Sequence, residues 1–226
     1  MAATGLKSIQ SVAQRLKAGT LTPPSPSTSS STTTATPTFP VADRIYLHKG
    51  DITKVATAAI VNAANSSLMG GGGVDGAIHR AAGRELLEEC GRLVGCQTGD
   101  AKLTAGYRLP AKAVIHTVGP IYNANRHQEC EMALKSCYRR SLELAIENKL
   151  DTIAFPSIST GVYGYPKDQA TRTAVQAVGQ FLTETDTAQA IKGVVFVSFS
   201  DNDLKIYEGV LPEFIVMPAT ASSASK

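Results

Sequence analysis

A chain of 226 residues, 43% of them hydrophobic, with four cysteines and a formal charge of +3, is long enough to bury one core, and no run in it approaches an uninterrupted apolar membrane span. The charge is unevenly placed: Lys7, Arg15 and Lys17 lie in residues 1–42 without a single acid, and the remaining basic and acidic side chains balance. A neutral body lacks the basic footprint of a nucleic-acid binder, so neither nucleic acid nor a membrane is expected as the main partner.

In residues 1–19, Leu6, Ile9, Val12, Ala13 and Leu16 recur at helical spacing among small and basic residues. Two readings stay open, a mitochondrial presequence and a short helix that docks on the domain. Residues 20–42 are rich in Ser, Thr and Pro and read as a disordered linker, so a chain beginning near Phe39 is expected to fold and keep full activity. One domain is expected over residues 43–217, followed by a disordered tail at 218–226.

Within the domain, strand-like runs fall at Ile45–Lys49, Ala59–Ala63, Lys102–Arg108, Ala113–Thr117, Thr152–Phe155 and Val194–Phe199. Helical patterns run from about Val74 to Leu93, Gln128 to Asn148, Lys167 to Thr185 and Asp201 to Leu211. The alternation predicts an α/β fold, a three-layer α/β/α sandwich on a mixed, largely parallel central sheet. Lys102–Thr117 reads as two strands joined near Leu109–Pro110, an antiparallel element. Cys90, Cys96, Cys130 and Cys137 show neither CxxC nor zinc-ribbon spacing, and no secretory signal precedes them. Reduced core thiols in an intracellular protein are expected, in cytoplasm or nucleus, or in mitochondria if residues 1–42 are an address.

The stretch AIVNAANSSLMGGGGVDG at 59–76 carries the most chemistry. An apolar strand opens into paired asparagines, Gly70 to Gly73, and one acid. Glycines let backbone N–H groups close on a ligand, anions being the favoured guests, and Asn62 and Asn65 each offer a donor and an acceptor suited to sugar hydroxyls. Asp75, the lone carboxylate beside the loop, is the first candidate for acid–base work. A second loop, TIAFPSISTGVYGYP at 152–166, follows another buried-looking strand and places Pro166 where helix N1 prolines belong. Tyr163 offers a ring for a ribose or base. If the two strands are neighbours, both loops face one crevice.

These segments, with GDIT at 50–53, VNAANSSLMGGGGVDGAIHRAAG at 61–83, GDAKLTAGYRLPAKAVIHTVGP at 99–120 and FPSISTGVYGYP at 155–166, give a chain that resembles macrodomains of the MacroD-like class over roughly residues 43–215. The resemblance implies ADP-ribose as ligand. It implies that Asp51 accepts from the adenine amino group while the Ile52 N–H reads a ring nitrogen; Asp51 merely capping a turn with Thr53 is the other reading. Phe199, or residues 200–202, would line the adenine pocket, although Phe199 also suits the core. Asn62 and Asn65 would hold the distal ribose beside Gly72, Gly73 and Val74, and Ser159, Thr160, Gly161, Val162 and Tyr163 would cradle the diphosphate. Asp75 would orient the attacking water. His79 shares its helix face four residues on and is catalytic or structural, and Asn65 and Tyr163 complete the catalytic candidates. His116, inside VIHTV, reads as a core histidine.

The implied reaction is hydrolysis of an ester on the distal ribose, in mono-ADP-ribosylated protein glutamate or aspartate and in O-acetyl-ADP-ribose, with no cofactor and no metal. A reader that binds ADP-ribose without turnover, and an enzyme acting on the terminal phosphate of ADP-ribose 1″-phosphate, are the alternatives.

Overall fold

A computed structural model of the chain describes residues 3–22, 37–184 and 186–218. In chain order the elements are β1 (Thr4–Gly5), α1 (Val12–Lys17), β2 (Ile45–Lys49), β3 (Val55–Ala56), β4 (Ala59–Ala64), α2 (Gly73–Ala82), α3 (Arg84–Arg92), β5 (Ala101–Ala105), β6 (Ala113–Val118), α4 (His127–Glu147), β7 (Thr152–Phe155), α5 (Lys167–Glu184), β8 (Gly193–Ser198) and α6 (Asp201–Phe214). Six strands form the central sheet in the order β2-β8-β7-β4-β6-β5. All neighbours are parallel except β5, which runs antiparallel to β6. The short β1 pairs with β3 apart from this sheet.

Strands covered on both faces read as continuous apolar runs, and every residue of β6 and β8 is buried. Successive side chains point to opposite layers. Val61, Ile115, Phe155 and Phe196 join Leu134 of α4, Val178 of α5 and Val210 of α6 on one side. Ile60, Val114, Ala154 and Val195 meet Ile78 of α2 and Leu86 of α3 on the other. The result is the expected three-layer sandwich, with the expected antiparallel pair.

Local differences have local causes. The single helix expected from Val74 to Leu93 is two helices, because the backbone takes a left-handed φ of +98° at Gly83 and turns between them. The last helix runs past Leu211 and through Pro212 to Phe214, where burial of Leu211 and Phe214 holds the final turn. Among the described residues, no helix is long and apolar enough to cross a membrane.

The N-terminal stripe docks. Ser11 caps α1 by accepting from the Gln14 N–H, and the Gln14 side chain accepts in return from the Ser11 N–H. Val12 and Leu21 are buried with Ile45 and Leu47, Ile9 enters the opposite layer, and Arg15 reaches Glu208 at 3.1 Å. The ends of the expected linker at 20–42 are packed as well. Val41 and Ala42 are buried, and Phe39 exchanges backbone hydrogen bonds with Phe214 and Val216. Apolar side chains at these ends outweigh the polar composition between them. Residues 23–36 of that segment, and the tail from 219, lie outside the described residues.

The domain therefore packs against residues before position 43, among them Ile9, Val12 and Leu21, which a chain beginning near Phe39 lacks. Burying an aliphatic side chain contributes about 1.5–3 kcal/mol, so losing Val12 and Leu21 together is expected to lower unfolding free energy by at least about 3 kcal/mol. Urea denaturation of the full chain and of one starting at Phe39 measures this. Coincident transitions would show that the segment docks without stabilising.

Candidate active site

Parallel strands share one carboxyl edge, and the loops leaving β2, β4, β6, β7 and β8 enclose there a cavity of about 710 Å³. Because β4 and β7 are sheet neighbours, the two glycine loops that follow them face one crevice.

The first loop is held from within by Asn65. Its Nδ2 donates to the Gly70 carbonyl at 2.8 Å, and its Oδ1 accepts from the Ser67 N–H at 3.1 Å and the Ser67 hydroxyl at 2.7 Å. Gly70 and Gly73 take φ of +80° and +58°, which carries the chain over the crevice and into α2. The second loop closes on itself through Gly164 N–H to Gly161 O and Tyr165 N–H to Ser159 O, both 2.9 Å. Ser159 is itself left-handed, at φ +64°, and its buried Oγ has no partner among the described residues. Gly119, leaving β6, makes this possible: a Cβ there would stand 2.1 Å from the Ser159 Oγ.

Asp75 enters in the first turn of α2, where a carboxylate is favoured by the helix dipole. It is only 4% exposed. Its Oδ1 accepts from Asn62 Nδ2 at 2.7 Å and lies 3.4 Å from His79 Nε2. Its Oδ2 faces Gly71, where a Cβ would meet it at 3.1 Å, and accepts no hydrogen bond from the described residues. One oxygen is thus anchored from behind and the other is presented at the wall. At the far side, Asp51 Oδ1 accepts from the Thr53 N–H at 2.9 Å and the Thr53 hydroxyl at 2.7 Å, capping the turn Ile52–Lys54. The turn-cap reading describes that oxygen, and the residue also lines the cavity.

Asp51, Ile52, Asn65, Gly72, Gly73, Val74, Asp75, the run from Ser159 to Tyr163, and Phe199 all meet at this one cavity. Phe199 stands 85% exposed at the rim and not in the core. Two candidates do not reach the wall. Asn62 is fully buried behind Asp75, because its place inside β4 points it into the α2 layer, so the expected ribose contact is absent from this geometry. His79 packs between Gly70 and Asp75 with its ring edge against the loop, which makes it a neighbour of the acid and not a wall residue. His116 is a buried strand histidine, and burial, with a smaller push from His79, drives its pKa down to about 3.

Sequence reasoning passed over Arg80, Gly119, Pro156, Lys167 and Asp203, which also line the cavity. A signal existed for Gly119: a Gly-Pro pair directly after a buried strand marks the same carboxyl edge as the other loops. Lys167 bonds Asp203 at 2.6 Å. Burial works to raise the Asp203 pKa, but bonds from Lys167 and Ser200 outweigh it and hold the carboxyl below its usual range. Neither cysteine nor histidine is among the lining residues, which include the carboxylates of Asp51, Asp75 and Asp203 and the hydroxyl-bearing Ser157, Ser159, Thr160 and Tyr163.

A family profile described as Macro domain matches residues 61–174. A macro domain-containing protein of Chlorobaculum tepidum is 57% identical over 171 residues, 75% of this chain and 97% of its own length. ADP-ribose glycohydrolase MACROD2 of Xenopus laevis is 52% identical over 174 residues, and the match takes in 77% of this chain and 41% of that protein. Among solved structures, the Trypanosoma brucei macrodomain in complex with ADP-ribose is similar with a TM-score of 0.75 at 39% identity, covering 92% of this chain and 77% of that one.

Proposed function

The chain belongs to the macrodomain family, and from that premise we propose that it binds ADP-ribose in the cavity at the sheet's carboxyl edge and hydrolyses esters on the distal ribose. The substrates are mono-ADP-ribosylated protein glutamate or aspartate and O-acetyl-ADP-ribose. One observation carries the reading: a buried carboxylate, Asp75, has one oxygen anchored by Asn62 and the other turned to the same cavity that two glycine loops wall.

The diphosphate sits against Ser159 to Tyr163, where backbone N–H groups replace water around its charge. The adenine end lies between Ile52 and Phe199, beside Asp51. The distal ribose then reaches Asp75 and Asn65, whose Nδ2 keeps one hydrogen beyond the bond to Gly70. Water held by Asp75 Oδ2 and a ligand phosphate oxygen attacks the ester. Asp75 takes a proton from that water and returns it to the ribose oxygen as the acyl C–O bond breaks, so ADP-ribose and the carboxylic acid leave and the carboxylate is restored. Orientation and a proton acceptor are what the protein supplies, the latter contributing about 10²–10⁴-fold.

Release of ADP-ribose from glutamate-linked mono-ADP-ribosylated protein and from O-acetyl-ADP-ribose tests the reaction. Tight binding with no release from either ester would leave a reader. Release of phosphate from ADP-ribose 1″-phosphate in place of ester turnover would move the reaction to the terminal phosphate.

The adenine assignment has its own test. Asp51→Asn keeps an oxygen for Thr53 and turns the other acceptor into a donor facing the adenine amino group. ADP-ribose affinity is expected to fall by about 1–3 kcal/mol. Unchanged affinity in calorimetric titration would remove Asp51 from the adenine contact.

A further inference from the structure

We propose that Thr104, acting through His116, supports the Asn62 amide orientation that the Asp75 carboxylate requires and so helps hold Asp75 in its working orientation; the three are positioning residues for the hydrolysis proposed above, and the inference rests on that reading. They lie on adjacent strands. Asn62 of β4 and His116 of β6 are register partners, and Thr104 of β5 lies two residues along from Lys102, the partner of His116 on its other side. All three are completely buried.

Asn62 Nδ2 is 2.7 Å from Asp75 Oδ1 and 3.1 Å from His116 Nδ1, and His116 Nε2 is 2.9 Å from Thr104 Oγ1. The directions of the links follow one from another, starting at the carboxylate. An ionised carboxylate only accepts, so the end of Asn62 that faces it is the nitrogen. The second hydrogen on that nitrogen points at His116 Nδ1, which must be bare. A neutral imidazole with a bare Nδ1 carries its proton on Nε2 and donates to Thr104 Oγ1. The Thr104 hydroxyl passes its own hydrogen to a main-chain carbonyl, Ala105 at 3.3 Å or Val114 at 3.5 Å.

The opposite tautomer breaks the chain. It sets two donors face to face at Nδ1, relieved only by rotating Asn62 so that its oxygen abuts the Asp75 carboxylate. The Asp75 carboxylate and a bare His116 Nδ1 therefore select the same amide orientation, and Asn62 Oδ1, buried without a partner among the described residues, adds no preference of its own. Two other groups stand near the ring. Cys90 Sγ, 3.7 Å from Nε2, is a second and weaker acceptor for the same N–H that Thr104 receives, and the His79 ring stands 6.2 Å away, centroid to centroid. His79, Cys90 and His116 bring ligand-type atoms within 4.8 Å of one another, but both His116 nitrogens are already engaged in the relay.

Thr104→Val keeps the side-chain shape and deletes only the hydroxyl, and Thr104→Ser restores it. In the full chain acting on glutamate-linked mono-ADP-ribosylated protein, the valine variant is expected to lose about tenfold in kcat with KM within about twofold, and the serine variant to recover most of the loss. Histidine proton–nitrogen correlation spectra are expected to show His116 protonated on Nε2 in the wild type and a mixture in Thr104→Val. An Nδ1-protonated His116 in the wild type, or an unchanged kcat in Thr104→Val, overturns the relay. The tautomer is read on the wild type alone, so it decides even if the valine variant does not fold. If the wild type releases no ADP-ribose, the hydrolase reading fails separately and the tautomer alone rules on the relay.

Discussion

Asp75→Ala is expected to cut turnover of glutamate-linked ADP-ribose by about two orders of magnitude or more, while ADP-ribose affinity stays within about twofold. The asymmetry follows from where the two oxygens go. Oδ1 is anchored by Asn62, and Oδ2, beside Gly71 of the cavity wall, is the oxygen that in the proposed reaction holds water and not the nucleotide. Catalysis depends on interactions stronger in the transition state than in the ground state, so removing this group acts on kcat. The variant also strands one Asn62 hydrogen in the interior, a cost of about 1–3 kcal/mol in stability. Thermal unfolding measured beside activity separates the two effects. Wild-type turnover in Asp75→Ala would remove the water-orienting role.

Gly161→Glu is expected to abolish ADP-ribose binding in a protein that still folds. Gly161 is exposed at the cavity wall, its backbone is not left-handed, and a Cβ there meets nothing within 4 Å. A carboxylate added at this point stands close to where the diphosphate must lie. Two unit charges about 5 Å apart at an effective dielectric near 20 repel by about 3 kcal/mol, on the order of a hundredfold for each pair. Gly161→Ala is expected to bind like the wild type, and Gly161→Gln separates bulk from charge. Calorimetric titration that finds wild-type affinity in the glutamate variant would sink the diphosphate-loop assignment.

The sandwich could be read from the sequence because strands buried on both faces, such as VIHTV and VVFVS, are short, largely apolar, β-branched runs, distinct in length and pattern from the helical segments between them. The loops were legible for a related reason: glycines and small polar residues placed immediately after such runs mark the edge where ligands bind. The layer behind the wall was not. Asn62 and Asn65 look alike in sequence, yet Ile60, Asn62 and Ala64 share one face of β4 while Asn65 lies past its end, so the pleat sends the first amide inward and leaves the second at the cavity. The N-terminal stripe posed a different problem. An apolar helical face serves a presequence and a docked helix equally, and its partners Ile45 and Leu47 are recognisable only once β2 is known to be the sheet's outer strand. The split of the long helix at Gly83 shows the same limit at short range, since a glycine inside a periodic pattern reads as tolerated until its φ is known.

The cavity's walls come from five strands that begin at residue 45 and end at residue 198 of the chain, joined in an order quite unlike their order along it. Such non-local, parallel pairings form slowly, because the entropy of closing long loops is lost before the contacts that offset it are made. No contiguous fragment carries the site, so recognition competence appears together with the completed sheet and not before it. Ligand then acts on the whole cooperative unit: at a free concentration a hundred times Kd, occupancy adds about 2.7 kcal/mol to global stability. Nucleotide supply would in this way set the lifetime of the folded molecule as well as the occupancy of its site.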